Sequence, residues 1–159
     1  MGIVVRNFEC HLFKGNLMRK TALFMALAVG TCLAAVNALD QATLKDYLAN
    51  GAPFDFILID VRSSEEADKA IGNEACKPYN LAWPAQFKDE IVKIPKDQAI
   101  IVYCRSGGRS RNAAAYLNAE GYTRVYDAGG FITWDGPTVP GSKIKSPSLL
   151  PEPSMRAKK

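Results

Sequence analysis

The sequence predicts an α/β fold, a central parallel sheet with helices on both faces, from three observations. Two apolar runs, Phe54-Asp-Phe-Ile-Leu-Ile-Asp60 and Ala99-Ile-Ile-Val-Tyr103, are nearly continuous rather than alternating, as strands buried on both faces are. Stretches with helical spacing of apolar residues separate the strands. The length of 159 residues suits one domain of ordinary size, about 100–150 residues, and no internal repeat argues for more.

The elements follow in order. Asp40 is placed to cap a helix over 41–49, in which Leu44, Tyr47 and Leu48 recur at i, i+3 and i+4 and Asn50-Gly51 supplies the stop. The run at 54–60 is a buried strand ending in an acid. Residues 63–70 read as a polar helical turn, and 76–81 as a second short strand. Pro84, at a first-turn position, opens a helix to about Lys93 with Phe87, Ile91 and Ile94 facing inward. A strand over 99–103 then leads through a glycine-bearing loop, 104–109, into an Ala-rich helix over 110–120 that Gly121 closes. A strand over 124–127 follows, and Ala128-Gly-Gly130 turns into a last short helix containing Phe131 and Trp134. Ligand sites in parallel sheets lie at the carboxyl ends of the strands, where Asp60-Val-Arg62, Cys104 and Asp127 fall.

Both ends differ from this domain, expected over 39–136. Arg19 and Lys20 precede an uncharged apolar run at 21–36, with Val36 and Ala38 at the −3 and −1 positions of a cleavage site. We read a secretory signal peptide starting at Met18, behind a leader of residues 1–17, and cleaved after Ala38. About 16 uncharged residues fall short of the roughly 20 that span a bilayer, so no stable membrane insertion is expected after cleavage. Thr31 before Cys32 disfavours a lipid anchor. Residues 137–159, with five prolines, five cations and no apolar periodicity, read as a flexible tail.

The net charge of +4 sits in these end segments. Residues 1–38 hold four cations against Glu9, and 143–159 hold five against Glu152, which leaves the region between them mildly acidic and excludes nucleic acid as a partner. Cleavage also removes His11, the single histidine. A chain without histidine cannot use a Ser-His-Asp or Cys-His nucleophile or a His-ligated zinc. Cys76 and Cys104, 28 residues apart with no C-x-x-C, match no zinc or thioredoxin-like spacing. No metal or organic cofactor is implied.

Chemistry concentrates in Cys104-Arg-Ser-Gly-Gly-Arg-Ser110, between a buried strand and a helix. Backbone N–H groups of such a loop and the positive end of the helix dipole activate a thiolate without a base. Arg105 and Arg109 add fixed positive charge for the thiolate and for an anionic substrate, and Gly107 and Gly108 let the loop curl with its amides inward.

This loop, the strand AIIVY before it, the helix SRNAAAYLNAEGY after it, VYDAGGFITW and the LIDVR segment at Leu58–Arg62 resemble a single-domain rhodanese, a thiosulfate sulfurtransferase, over about 42–136. The small secreted, periplasmic, phage-shock-protein-E-like group is the most similar. The resemblance implies a rhodanese-like fold and a periplasmic location. It also implies that Cys104 takes the outer sulfur of thiosulfate as a persulfide and passes it to a thiophilic acceptor such as cyanide or a thiol. Arg105, Ser106, Gly107, Gly108, Arg109 and Ser110 would bind the donor through loop amides and the two guanidinium groups. Asp60 and Arg62 would support the loop, and Gly129, Gly130 and Trp134 would pack beneath it. Implied partners are the small anionic donor and the acceptor; the oligomeric state is left open between a monomer and a weak dimer.

Two other readings stand beside this one. A rhodanese-fold sulfur-carrier module would keep the loop without appreciable turnover. Cysteine phosphatases use C-x5-R, but Arg109 comes one residue too early for that pattern and Tyr103 precedes the cysteine, so the loop suits a sulfur atom better than a phosphoryl group. One stretch departs from the family. From Glu66 to Cys76 the chain lacks the aromatic, His and Pro of the usual Glu-aromatic-x-x-Gly-His-Ile-Pro-Gly-Ala segment. Cys76 is expected to be structural; a disulfide or resolving role would need its Cα within about 7 Å of that of Cys104.

Overall fold

A computed structural model describes residues 36–150. The expected signal segment lies outside the described residues except for its last three. Of these, Asn37–Ala38 form strand β1. Helix α1 (Gln41–Asn50) follows, capped by Asp40, whose side chain accepts from the Thr43 N–H at 2.8 Å and which thereby satisfies an otherwise orphaned donor. Strand β2 (Phe56–Asp60) leads to a 3-10 turn at Ser64–Glu66, then β3 (Lys69–Ile71), β4 (Tyr79–Asn80) and helix α2 (Ala85–Ile91). Strand β5 (Ala99–Cys104), helix α3 (Gly108–Ala119) and strand β6 (Val125–Gly130) complete the alternation. A 3-10 turn at Phe131–Thr133 and strand β7 (Thr138–Pro140) follow.

Five strands form one parallel sheet in the order β1-β6-β5-β2-β4. Alternation along its central strands distributes side chains between two faces. Ile57 and Ile59 of β2, with Ile100, Val102 and Cys104 of β5, point to a core closed by Phe87 and Ile91 of α2 and Ala113, Ala114 and Leu117 of α3. Leu58, Ile101 and Tyr103 point the other way, against Leu44 and Leu48 of α1. Helices therefore cover both faces, which explains why β2 and β5 show no polar alternation.

Several expected elements differ: Ala128-Gly-Gly130 continues β6 rather than turning, the strand expected over 76–81 is confined to Tyr79–Asn80, the last helical turn ends before Trp134, and the two largest differences lie at 63–70 and in the tail. Only the first part of 63–70 is helical, because Lys69–Ile71 pairs antiparallel with Thr138–Pro140, setting Ala70 opposite Val139. The segment expected as a flexible tail is correspondingly docked as far as Leu150. Val139 and Leu150 are buried, the Gly141 N–H donates to the Asp68 carbonyl at 2.6 Å, and the Lys145 N–H donates to the Pro78 carbonyl at 2.9 Å. Residue 145, itself in no strand, also bridges in parallel to Tyr79 of β4. A three-residue ribbon carrying one buried valine is too short to show a period, and glycine and proline dominate its surroundings. At the other end, the expected cleavage point after Ala38 falls just past β1, whose residues pair with Tyr126 and Asp127 of β6.

Candidate active site

The site is built where β5 stops. Cys104 is the last residue of that strand, 1% exposed, and the chain turns at once into the first turn of α3. The turn requires Gly107 at φ +97°, a left-handed conformation that glycine alone adopts without strain. In that conformation the Gly107 N–H donates to Cys104 Sγ at 3.1 Å. Burial alone would push the thiol up. The Ser110 N–H and hydroxyl, with the N–H groups of Gly107 and Ser106, outweigh burial and hold the thiol below its ordinary value. Ser110 is buried, and its hydroxyl lies 3.1 Å from the Gly107 carbonyl and 3.3 Å from that of Gly129.

Strand β6 makes room for the loop. Val102 pairs with Asp127 but Cys104 with Gly130, so a bulge places an extra β6 residue beside the nucleophile. Asp127 holds the bulge by accepting the Gly129 N–H at 3.0 Å, with Gly129 at φ +77°. A Cβ on Gly130 would lie 2.8 Å from the Arg105 carbonyl and 2.9 Å from Ser106 Cα, so the loop rests directly on backbone. The Ile132 N–H then donates to the Arg105 carbonyl at 3.1 Å.

Of the expected donor-binding residues, Arg105, Ser106 and Gly108 are exposed at the rim, Gly107 and Ser110 are buried beneath it, and Arg109 is half-buried in the first turn of α3. Arg109 is already engaged. Its guanidinium meets Glu66 as a two-pronged fork, Nη1 to Oε2 at 2.6 Å and Nη2 to Oε1 at 2.8 Å. The fork lowers the Glu66 carboxyl to about 2 from its ordinary 4.5. Arg109 is raised in turn, by Glu66 first, against desolvation, with Cys104 a lesser contributor. Glu66 carries no role among the residues expected from the sequence. The signal for its placement was the Ser63-x-x-Glu66 spacing of a capping box, which the structure contains.

Asp60 and Arg62 are not on the rim but behind the nucleophile strand, 0% and 3% exposed. Asp60 accepts the Arg62 N–H at 2.9 Å, Arg62 Nη2 at 2.6 Å and the Tyr103 hydroxyl at 3.0 Å. The Tyr103 oxygen itself accepts the Ile71 N–H at 3.0 Å. Arg62 also donates to the carbonyls of Glu66 at 2.9 Å and Lys69 at 2.5 Å, and its guanidinium lies 4.5 Å from the Phe131 ring centroid. Every group of this buried pair is thus satisfied, as a pair removed from water requires. The brace joins β2, β3 and β5 just behind the loop.

Cys76 takes no part. It is a free thiol, raised by burial, on the α1 face with Leu44 and Leu58, whereas Cys104 belongs to the opposite face. The two do not pair.

A family model described as "Rhodanese-like domain" matches residues 40–136. A protein named "Sulfurtransferase" from Allochromatium vinosum is 38% identical over 101 residues, covering 62% of this chain and 88% of its own. One named "Thiosulfate sulfurtransferase GlpE" from Glaesserella parasuis is 35% identical over 81 residues, 50% of this chain and 71% of its own. Among solved structures, the rhodanese-like domain of an Anabaena protein superposes with a TM-score of 0.55 at 24% identity, covering 67% of this chain and 80% of that one. This last likeness bears on the fold alone.

Proposed function

Because the chain belongs to the rhodanese-like sulfurtransferase family, we propose that it moves sulfane sulfur from thiosulfate, or a similar anionic donor, to a thiophilic acceptor through Cys104. The observation that carries this is the Cys104 sulfur inside a ring of backbone N–H donors, with its thiol held below the ordinary value although the residue is buried. A sulfur seated there is a nucleophile without a base. The Cys104 thiolate attacks the outer sulfur of thiosulfate; a new S–S bond forms, and sulfite leaves with the electron pair of the bond that breaks. The resulting persulfide anion replaces the thiolate as the charge the loop amides stabilise. Cyanide or a thiolate then attacks the terminal sulfur, the S–S pair returns to Cys104, and the loop is reset. Arg105, at the rim, is the group best placed to attract the donor. Asp60 and Arg62 act through Tyr103 and the strand ends rather than on substrate.

The test is thiocyanate formation from thiosulfate and cyanide. Wild type is expected to turn over, and to gain the mass of one sulfur on Cys104 with thiosulfate alone. Cys104→Ser should lose at least about a thousandfold in rate, the scale on which removing a covalent nucleophile acts. Sulfur loading without turnover would instead favour the sulfur-carrier reading. Alkylation of Cys104 should reach its plateau at a pH below that of an ordinary cysteine. We also propose export to the periplasm, supported by Arg19, Lys20 and the apolar run at 21–36; osmotic-shock fractionation of cells expressing the full chain tests it.

A further inference from the structure

The cradle carries two arginines in unequal situations. Arg105 is exposed, and its guanidinium meets no ion-pair or hydrogen-bond partner among the described residues. Arg109 is matched prong for prong by Glu66. Glu66 is itself held in place. Its Oε2 accepts the Ser63 N–H at 3.2 Å and lies 3.3 Å from the Ser63 hydroxyl, while its carbonyl accepts Arg62 Nη1. The carboxylate is therefore a fixed negative charge beside the nucleophile loop, ionised at any physiological pH.

We propose that Glu66 sets the charge preference of the site. By neutralising Arg109 it leaves Arg105 as the unpaired member of the two arginines, which narrows the advantage that doubly charged thiosulfate holds over singly charged sulfur donors such as alkanethiosulfonates. The inference rests on the sulfurtransferase reading and makes Glu66 a specificity-determining residue for it. Removing one negative charge stabilises a dianion by twice as much as a monoanion. For one unit of charge acting at roughly 7 Å in water, the difference is worth about threefold in rate.

Glu66→Gln removes the charge while keeping an oxygen that accepts from Arg109. Methanethiosulfonate is thiosulfate with one charged oxygen replaced by a methyl group, so the two donors differ chiefly in charge. In Glu66→Gln the ratio of kcat/KM for thiosulfate to that for methanethiosulfonate is expected to rise about threefold. Carboxymethylation of Cys104, located by peptide mass, supplies a second readout that needs no turnover. The ratio of iodoacetate to iodoacetamide rates should rise by a similar factor, and a change in thiolate population cancels in that ratio. Both increases should shrink in 0.5 M salt.

Unchanged or lower ratios in Glu66→Gln, with both donors still loading sulfur, would overturn the role of Glu66 and leave the sulfurtransferase reading intact. Wild type that loads sulfur from neither donor, even with a raised alkylation ratio, would overturn the sulfurtransferase reading and the donor preference with it.

Discussion

The two structures that meet at the end of β5 are built from opposite materials. In front of Cys104 the loop is a backbone device: Gly107 at positive φ, N–H groups aimed at a sulfur, and a floor of glycines in β6. Behind it, Asp60, Arg62 and Tyr103 form a side-chain device, buried and mutually hydrogen-bonded. Backbone donors stay in place whatever charge the sulfur carries and suit a site whose occupant changes from thiolate to persulfide. A buried ion pair has one good arrangement and suits a part that must not move. The comparison implies that stability and sulfur chemistry respond to different substitutions.

The largest expected effect is on the brace. Arg62→Ala would strand Asp60 in the interior and should cost about 3–5 kcal/mol by urea denaturation. A loss under about 1 kcal/mol would show that the pair is not what holds the strand ends together. Tyr103→Phe leaves the Ile71 N–H without its acceptor and Asp60 one donor short, and should cost about 1–3 kcal/mol. Its sulfur loading should stay near wild type; a parallel fall in both would erase the division between the two devices.

The cradle should answer in the reverse sense. Gly107→Ala has room for its Cβ, with Gly129 Cα 3.7 Å away, so its cost is the positive φ, about 1–2 kcal/mol. If the backbone relaxes to avoid that strain, the N–H leaves the sulfur, the pH at which Cys104 alkylates moves up, and sulfur transfer drops about tenfold or more. A stability loss with an unmoved alkylation profile would count against the cradle. The smallest effect concerns the Glu66 to Arg109 fork. Its carboxyl is lowered in the folded chain, so its contribution is present above the ordinary 4.5 and is lost as pH falls toward about 2. With both side chains about a third exposed, this amounts to about 0.5–1 kcal/mol. The stability gap between wild type and Glu66→Gln should be steady from pH 7 to 5, narrow progressively below about 4.5 and close only below about pH 2.

The parts of this molecule legible in the sequence are those with a local cause. Strands β2 and β5 announce themselves because both faces are buried, α1 because Asp40 and Gly51 bracket it, and the nucleophile loop because its glycines and arginines are contiguous. The β3–β7 ribbon joins segments about 70 residues apart, each three residues long, and no window of sequence contains enough of it to show a pattern. Glu66 is another case. Its Ser63-x-x-Glu66 spacing marks a turn, but that it also faces Arg109, 43 positions on, is decided by where β2 and β5 pair. Residue types show that charges are available; only the register shows which are spent on each other.

The sheet is finished at both margins by residues outside the family match. Asn37 and Ala38 lie along β6 at one side, and at the other residue 145 lies beside Tyr79. Each strip occupies backbone groups that an open sheet offers to any passing strand. A fragment trimmed to residues 40–136 would keep the nucleophile loop and the brace, yet would expose two adhesive borders. Such a fragment invites strand-to-strand association between copies, and cleavage after Ala38 would bare the β6 border in the exported chain as well, where the flank at residue 145 alone would guard colloidal behaviour rather than catalysis.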